Sequence, residues 1–212
     1  MFDITGFIVP KGFCLDTFNQ AGKLLLTQGE LHVKEHIFYL TEVEFYAWSK
    51  NDKNWQDWAI HANPCVLGKA KCEAHRQARA NLVYTHGAGL DITFGTDANY
   101  GGILIRGITT ARGQFVTGPL RTYDVLRALC TCAQDLRESL HLEIGNVRAV
   151  SLFQGPRVHV AQNKQKWPEP LTDNLQYWKN IPLRYVADAR SRPDPIDRKR
   201  VLYTTSLQEI TR

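Results

Sequence analysis

Glu42, Glu44 and Tyr46 stand at alternate positions in the run Thr41-Glu42-Val43-Glu44-Phe45-Tyr46-Ala47-Trp48. Along a strand, alternate side chains share a face. Val43, Phe45 and Ala47 then form a core face, and the other face carries two carboxylates beside a phenol. Two neighbouring carboxylates push each other's proton affinities apart, which acid–base chemistry exploits. If that face lines a cleft, Glu44 is a candidate general base and Tyr46 a stacking surface. The same spacing also suits a solvated acidic strand face. Downstream, His61 lies in Asp57-Trp58-Ala59-Ile60-His61-Ala62-Asn63-Pro64 and offers a donor or acceptor near neutral pH. Arg106 interrupts the apolar run Ile103-Leu104-Ile105-Arg106-Gly107-Ile108. A guanidinium there needs an anionic partner, either a glutamate or a phosphate, with Asp91 as a further candidate. Gly118-Pro119-Leu120-Arg121 reads as a helix start, a place that binds phosphate well.

The elements that must position these groups are legible in part. Residues 16–27 read as a short helix or a helix–strand transition, and residues 30–48, rich in β-branched and aromatic residues, as one or two strands. Residues 49–81 are polar and irregular, as expected of a long loop with a short helix. Residues 82–117 alternate apolar runs with glycines and predict antiparallel strands turning at 87–89, 97–102 and 112–113. Pro119 opens the clearest helical pattern, which spans residues 119–141. Residues 146–162 predict two strands around Gly155-Pro156, and the tail from Arg190 is polar and basic. The expected fold is α+β: a single domain over residues 1–189 with an antiparallel curved β-sheet and flanking helices, then a basic C-terminal tail over 190–212 that wraps the surface or is partly mobile.

Composition narrows the function classes. The chain has 212 residues and a formal charge of +5. Residues 1–60 hold five Lys/Arg against eight Asp/Glu, and the remainder holds 21 against 13. An acidic first third and a basic remainder fit an acidic site facing a cationic groove for a polyanion. No apolar run reaches the roughly 20 residues that span a bilayer, and the N-terminal segment lacks the pattern of a signal peptide. Five cysteines, an odd number, argue for reduced thiols. The expectation is a protein that is not secreted: cytoplasmic, nuclear or nucleoid-associated, and free of membrane. No metal is expected. His32 and His36 fall on a strand, where that spacing separates them by about 13 Å. Cys65, Cys72 and His75, like Cys130 and Cys132, lack zinc-ligand spacing.

Taken in order, these motifs resemble the alkyladenine (3-methyladenine) DNA glycosylase superfamily. That family has a leucine–glycine helix and then a strand reading V-E-T-E-A-Y; here Gln20-Ala21-Gly22-Lys23-Leu24-Leu25-Leu26 precedes Thr41–Tyr46. Its A-A-H-S is similar to Ala59-Ile60-His61-Ala62, and its aromatic Y-V-Y strand to Asn81-Leu82-Val83-Tyr84-Thr85-His86-Gly87. Its V-L-L-R-A resembles Ile103–Gly107, and its G-P-x-K/R-L helix start resembles Gly118–Arg121. Its late P-R-I-G-I and P-W-R-F resemble Pro156-Arg157-Val158-His159-Val160 and Pro182-Leu183-Arg184-Tyr185. The series covers residues 20–186. It departs from the family after His61, where T-x-R-N is missing, and at the wedge near Thr85–Gly87, which has no tyrosine. Thr93 or Thr96 stands near the place of the family's pocket asparagine.

The resemblance implies a monomeric enzyme on double-stranded DNA that needs no cofactor. A damaged purine would be flipped out of the duplex into an aromatic pocket. Glu44 would be catalytic, activating a water. Tyr46, His61, Tyr84 and Thr93 would surround the base, while Arg106, Arg121, Arg157 and His86 would hold the DNA. Two other readings compete: a non-catalytic nucleic-acid-binding protein of the same fold, and a hydrolase of small N-glycosides.

Overall fold

In the computed structural model, residues 1–62, 68–87, 89–158, 177–178, 180–188 and 207–210 are described, with the backbone alone at residues 69 and 72. The chain opens with a short helix α1 (Ile4–Ile8) and a 3-10 turn (Val9–Lys11), then α2 (Leu15–Gln28). The Asn81 side chain accepts hydrogen bonds from Ile4 N and Thr5 N, closing the start of α1. The Cys14 thiol caps α2 by accepting from Thr17 N. Phe18, Ala21, Leu25 and Leu26 recur at helical spacing on α2 and are fully buried.

Two strands follow, β1 (Gly29–Val33) and the long β2 (His36–Ser49). Next come a 3-10 turn (Lys53–Trp55), α3 (Lys69–Ala74) and another 3-10 turn (Arg76–Ala78). The middle strands are β3 (Ala80–His86), β4 (Gly89–Phe94), β5 (Asn99–Thr110) and β6 (Phe115–Thr117). Helices α4 (Pro119–Arg127) and α5 (Ala133–Ser139) lead to β7 (Leu140–Ile144), β8 (Leu152–Gly155), β9 (Arg184–Ala187) and β10 (Gln208–Glu209). The strands form one open antiparallel sheet in the order β10-β8-β9-β2-β5-β4-β3, with β1 joining β2 to β7 and β6 paired to β5. The α+β expectation holds in this form.

β2 is the axis of the sheet. β5 pairs along it from Phe38 to Ser49, while its other edge meets β1 first and then β9. The register shifts between Leu40 and Val43, where one partner gives way to the other. One sheet face packs on α2: Val43, Phe45 and Ala47 are wholly buried with Phe18, Phe94, Ile105 and Tyr185. Gly22 lets the helix approach closely, since a Cβ there would lie 2.5 Å from the Tyr185 ring.

Three expectations change. The single helix over 119–141 is two, broken at 128–132. There the Arg127 guanidinium takes the Cys130 and Thr131 carbonyls, and Asp135 accepts from Thr131 N, which favours a new helix start at Cys132. Of the two strands expected in 146–162, one forms at β8; Pro156–Val158 leave the ladder, and 159–162 lie outside the described residues. Within the expected tail, Gln208 and Glu209 pair with β8 and Ile210 N donates to Leu152 O, so this stretch extends the sheet. The rest of the tail lies outside the described residues. Cys14, Cys130 and Cys132 are free thiols. No helix of the described residues is long and apolar enough to cross a membrane.

Candidate functional site

The sheet face opposite α2 is polar. Period-2 alternation puts Glu42, Glu44 and Tyr46 on it from β2. Antiparallel pairing adds Gly102 opposite Tyr46 and Leu104 opposite Glu44, and then Thr93 and Asp91 from β4. Tyr84 of β3 lies opposite Asp91. Glu44 and Asp91 are therefore two strands apart in one row, about 10 Å between Cα atoms.

Glu44 is 0% exposed, and Glu42 is nearly so. Buried carboxylates require cations and donors. Arg106 Nε lies 3.0 Å from Glu42 Oε1 and 3.3 Å from Glu44 Oε1. Arg184 Nε reaches Glu42 Oε1 at 2.9 Å. Glu44 also accepts from Tyr46 Oη at 2.9 Å and from Val158 N at 2.8 Å. Burial lowers the Arg106 proton affinity, but the two carboxylates outweigh it and hold the guanidinium charged. Burial, then the charge of Glu44, push the Tyr46 phenol well above its ordinary value, so it remains a donor. The arrangement is a carboxyl group in a water-poor setting, with a fixed guanidinium and phenol around it.

A second cluster occupies the β3–β4 side. His86 Nε2 lies 3.1 Å from Asp91 Oδ1, and Gln77 Nε2 donates to Asp91 Oδ2 at 2.8 Å. Gln77 Oε1 accepts from Ala62 N at 2.9 Å, which ties the His61 loop to the sheet. The absence of a side chain at Gly102 leaves this amide its room, since a Cβ there would lie 2.7 Å from Gln77 Nε2. His61 packs on His86 with ring centroids 4.4 Å apart and on Tyr84 at 5.7 Å; His75 meets Tyr84 at 4.7 Å. Desolvation, then the neighbouring His86, hold the His61 imidazole below its ordinary value. Desolvation does the same for His75. Neutral imidazoles against a phenol ring form an aromatic surface that can stack on a flat ring.

The expected residues thus fall into two groups: Glu44 with Tyr46 and Arg106, and His61 with Tyr84 and His86. Four placements differ from the expectation. Arg106 is bound to Glu42 and Glu44, because two buried carboxylates demand it, and so is not a free phosphate contact. Arg157, expected at the DNA, is 5% exposed. It forms a bidentate ion pair with Asp57, donates to Phe45 O and Trp178 O at 3.1 Å, and lies over the Tyr46 ring. His86 is spent on Asp91 and is largely covered. Thr93 is fully buried, and its hydroxyl accepts from Leu82 N at 3.0 Å rather than lining a cavity. Arg121 is exposed in the first turn of α4, whose cap residue Gly118 has φ +95° and gives no side-chain cap.

Sequence reading missed Asp57, Gln77 and Arg184 as organisers; Asp91, weighed there as a partner for Arg106, instead holds His86 and Gln77, and His75, weighed as a zinc ligand, packs on Tyr84. Asp57 and Arg184 lie inside motifs singled out for other residues. Their partners are far off in sequence, and nothing local marks them. Beyond this face, an open depression of about 320 Å³ lies between Lys50, Glu73, Arg79, Asp97 and Tyr100, where Lys50–Glu73 and Arg79–Asp97 pair across it. No protein-family model matches the sequence, and no curated protein gives a match.

Proposed function

We propose that the chain is a DNA N-glycosylase that takes an alkylated or deaminated purine out of the duplex and hydrolyses its N-glycosidic bond. The observation that carries this reading is the buried Glu44 side chain, bound by Arg106 and oriented by Tyr46, on the same sheet face as the His61–Tyr84 aromatic cluster. Hydrolysis of an N-glycoside develops positive charge on the sugar, and a desolvated carboxylate stabilises that charge strongly. The water oxygen bonds to the anomeric carbon. The carbon–nitrogen bond breaks with its electron pair leaving on the base, and Glu44 accepts the water's proton. Alkylated purines already carry positive charge and need little acid assistance. His61, Tyr84 and Tyr46 supply the flat surfaces for the flipped base. The exposed Arg121 at the uncapped start of α4 suits a phosphate.

The test is base release from duplex oligonucleotides carrying 1,N6-ethenoadenine, hypoxanthine or 3-methyladenine. The wild-type chain is expected to release at least one, and Glu44→Gln to release it about 100-fold more slowly or less. One observation favours a second reading, a non-catalytic nucleic-acid binder: both Glu44 oxygens already have protein partners. That reading predicts salt-sensitive duplex binding with no release from any lesion.

A further inference from the structure

We propose that the outer face of the β1–β7 pair is a binding site for a divalent transition metal of the zinc class, with His32, His141 and Glu143 as its ligands. The pairing register builds it. His32 lies directly opposite His141, and Glu30 directly opposite Glu143, so four side chains form a rectangle on one face of two adjacent strands. The alternate residues Leu31, Val33, Leu140 and Leu142 are buried beneath, which fixes the strands and turns the four polar groups outward. All four are partly exposed, so an ion can enter.

The ligand atoms are already gathered. One donor atom from each of His32, His141 and Glu143 lies within 4.8 Å of the others. His32 Nε2 is 3.7 Å from Glu143 Oε2, and His141 Nε2 is 3.4 Å from Glu143 Oε1. A tetrahedral zinc ion bound at about 2.05 Å sets its ligands about 3.3 Å apart. The observed spacings therefore need shifts of an ångström or so in exposed side chains, with no change of backbone. The Glu30 carboxylate, 3.2 Å from His32 Nε2, stands ready to complete the coordination. Gly145 leaves room for it, since a Cβ there would come within 3 Å of both Glu30 oxygens.

Charge supports the same conclusion. Two glutamates directly opposed across a strand pair repel one another. The amino group of Met1, itself exposed, lies 3.6 Å from Glu143 Oε1, and the charge of Arg148 acts on Glu30, so each carboxylate has only a partial counter-charge. A bound dication would offset the repulsion and pull both imidazoles, now stacked at 5.2 Å, onto one centre. Two imidazoles with a carboxylate are a donor set that suits zinc, cobalt and nickel over magnesium or calcium. Such an ion would clamp β1 to β7.

The experiment uses the full chain without a histidine tag. Zinc sulfate is titrated by calorimetry, cobalt chloride by visible absorbance, and thermal unfolding is followed with and without zinc. One zinc per chain is expected, with a cobalt spectrum of tetrahedral intensity. The midpoint of unfolding should rise by roughly 5–10 °C at a hundredfold excess over Kd. His141→Gln and Glu143→Gln should each weaken binding about tenfold or more, since even the loss of a ligand's outer partner costs about that much. His61→Gln with His75→Gln, in the other histidine cluster, should leave it unchanged. Circular dichroism at 20 °C confirms that each variant is folded. Absence of stoichiometric binding, or binding that survives in the His32→Gln, His141→Gln double variant, would overturn the proposal.

Discussion

Arg106 and Glu44 meet across neighbouring strands, Nε to Oε1 at 3.3 Å, with the guanidinium only 12% exposed and the carboxylate wholly covered. The same guanidinium holds Glu42 at 3.0 Å. Two carboxylates thus share this cation, while Arg184 also holds Glu42 and the charge of Arg157 acts on Glu44. Arg106→Gln would take from buried Glu44 the cation that it contacts, leaving the more distant charge of Arg157. Breaking a buried pair in this way costs about 3–5 kcal/mol. Urea unfolding is expected to show a loss of that order. Arg106→Lys should lose less, because it keeps the charge but not the fork. An unchanged midpoint in Arg106→Gln would mean that this ion pair does not contribute to stability.

Tyr46→Phe removes one donor from Glu44 and nothing from the ring. A hydrogen bond to a charged group contributes about 1.5–3 kcal/mol. If Glu44 acts as the proposed base, its orientation depends on that bond, and base release is expected to slow by roughly tenfold with substrate binding nearly unchanged. Single-turnover rates on the best lesion measure it. A loss of affinity without a loss of rate would instead assign Tyr46 to stacking alone.

Asp57 and Arg157 make the second buried ion pair, both side chains 0% exposed. Asp57→Asn is expected to destabilise by about 3–5 kcal/mol, because Arg157 stays charged and loses the anion it contacts. Arg157 also satisfies the Phe45 and Trp178 carbonyls, so replacing both members of the pair will not restore full stability. The pair does not face solvent, which separates it from Arg121. Under the glycosylase reading, Arg121→Ser should lower the slope of log affinity against log salt by about 0.9, one phosphate's worth. Arg157 variants that remain folded should leave that slope alone.

What the sequence made legible is whatever repeats locally. The alternation in Thr41–Trp48 was enough to place Glu44 and Tyr46 on one face and Phe45 on the other. Residues 16–27 suggested a short helix or a helix–strand transition, and the structure resolves this as a helix over Leu15–Gln28. Burial was not legible. An arginine after a proline looks like a surface group until Asp57, from a distant loop, is laid against it. His32 was weighed against His36, its neighbour in sequence. Its partner in space is His141, and only the β1–β7 register shows that. The helix over 119–141 was overextended because Leu129, Cys130 and Ala133 keep the helical period, while the capping at Arg127 and Asp135 that breaks it is a side-chain effect.

Gly22 gives a test of the core that is independent of function. A Cβ at this position would meet the Tyr185 ring at 2.5 Å, and that ring is pinned by its hydroxyl bond to Asn19 Oδ1 at 2.7 Å. Gly22→Ala raises helix propensity by up to about 1 kcal/mol yet overpacks the core by about 1–3 kcal/mol. Net destabilisation is expected in urea, and Gly22→Ala with Tyr185→Leu should lose less than the two changes summed. A stabilised single variant would show that α2 sits further from the sheet.

The histidine cluster sets the response to acid. His61 and His75 both have folded values below the ordinary 6.5, mainly through desolvation. The unfolded chain then binds protons more readily than the folded one. Their contribution is complete above the unfolded value and is lost as pH falls from about 6.5 through the folded values. Asp91 opposes the shift at both positions, and His86 adds to it. Geometry says where the damage falls. His75 Nδ1 accepts from Gln77 N at 3.2 Å, and a protonated ring cannot accept. Gln77 in turn holds both Ala62 N and Asp91. Acid should therefore loosen the His61 loop from the sheet before the core melts. Between pH 7.5 and 5.5 the unfolding midpoint of the wild type is expected to fall. The drop should be smaller in His61→Gln with His75→Gln, since glutamine can keep the acceptor without titrating. Equal drops in the two proteins would place the acid sensitivity elsewhere, and hydrogen exchange at Ala62 and Gln77 would then remain slow at pH 5.5.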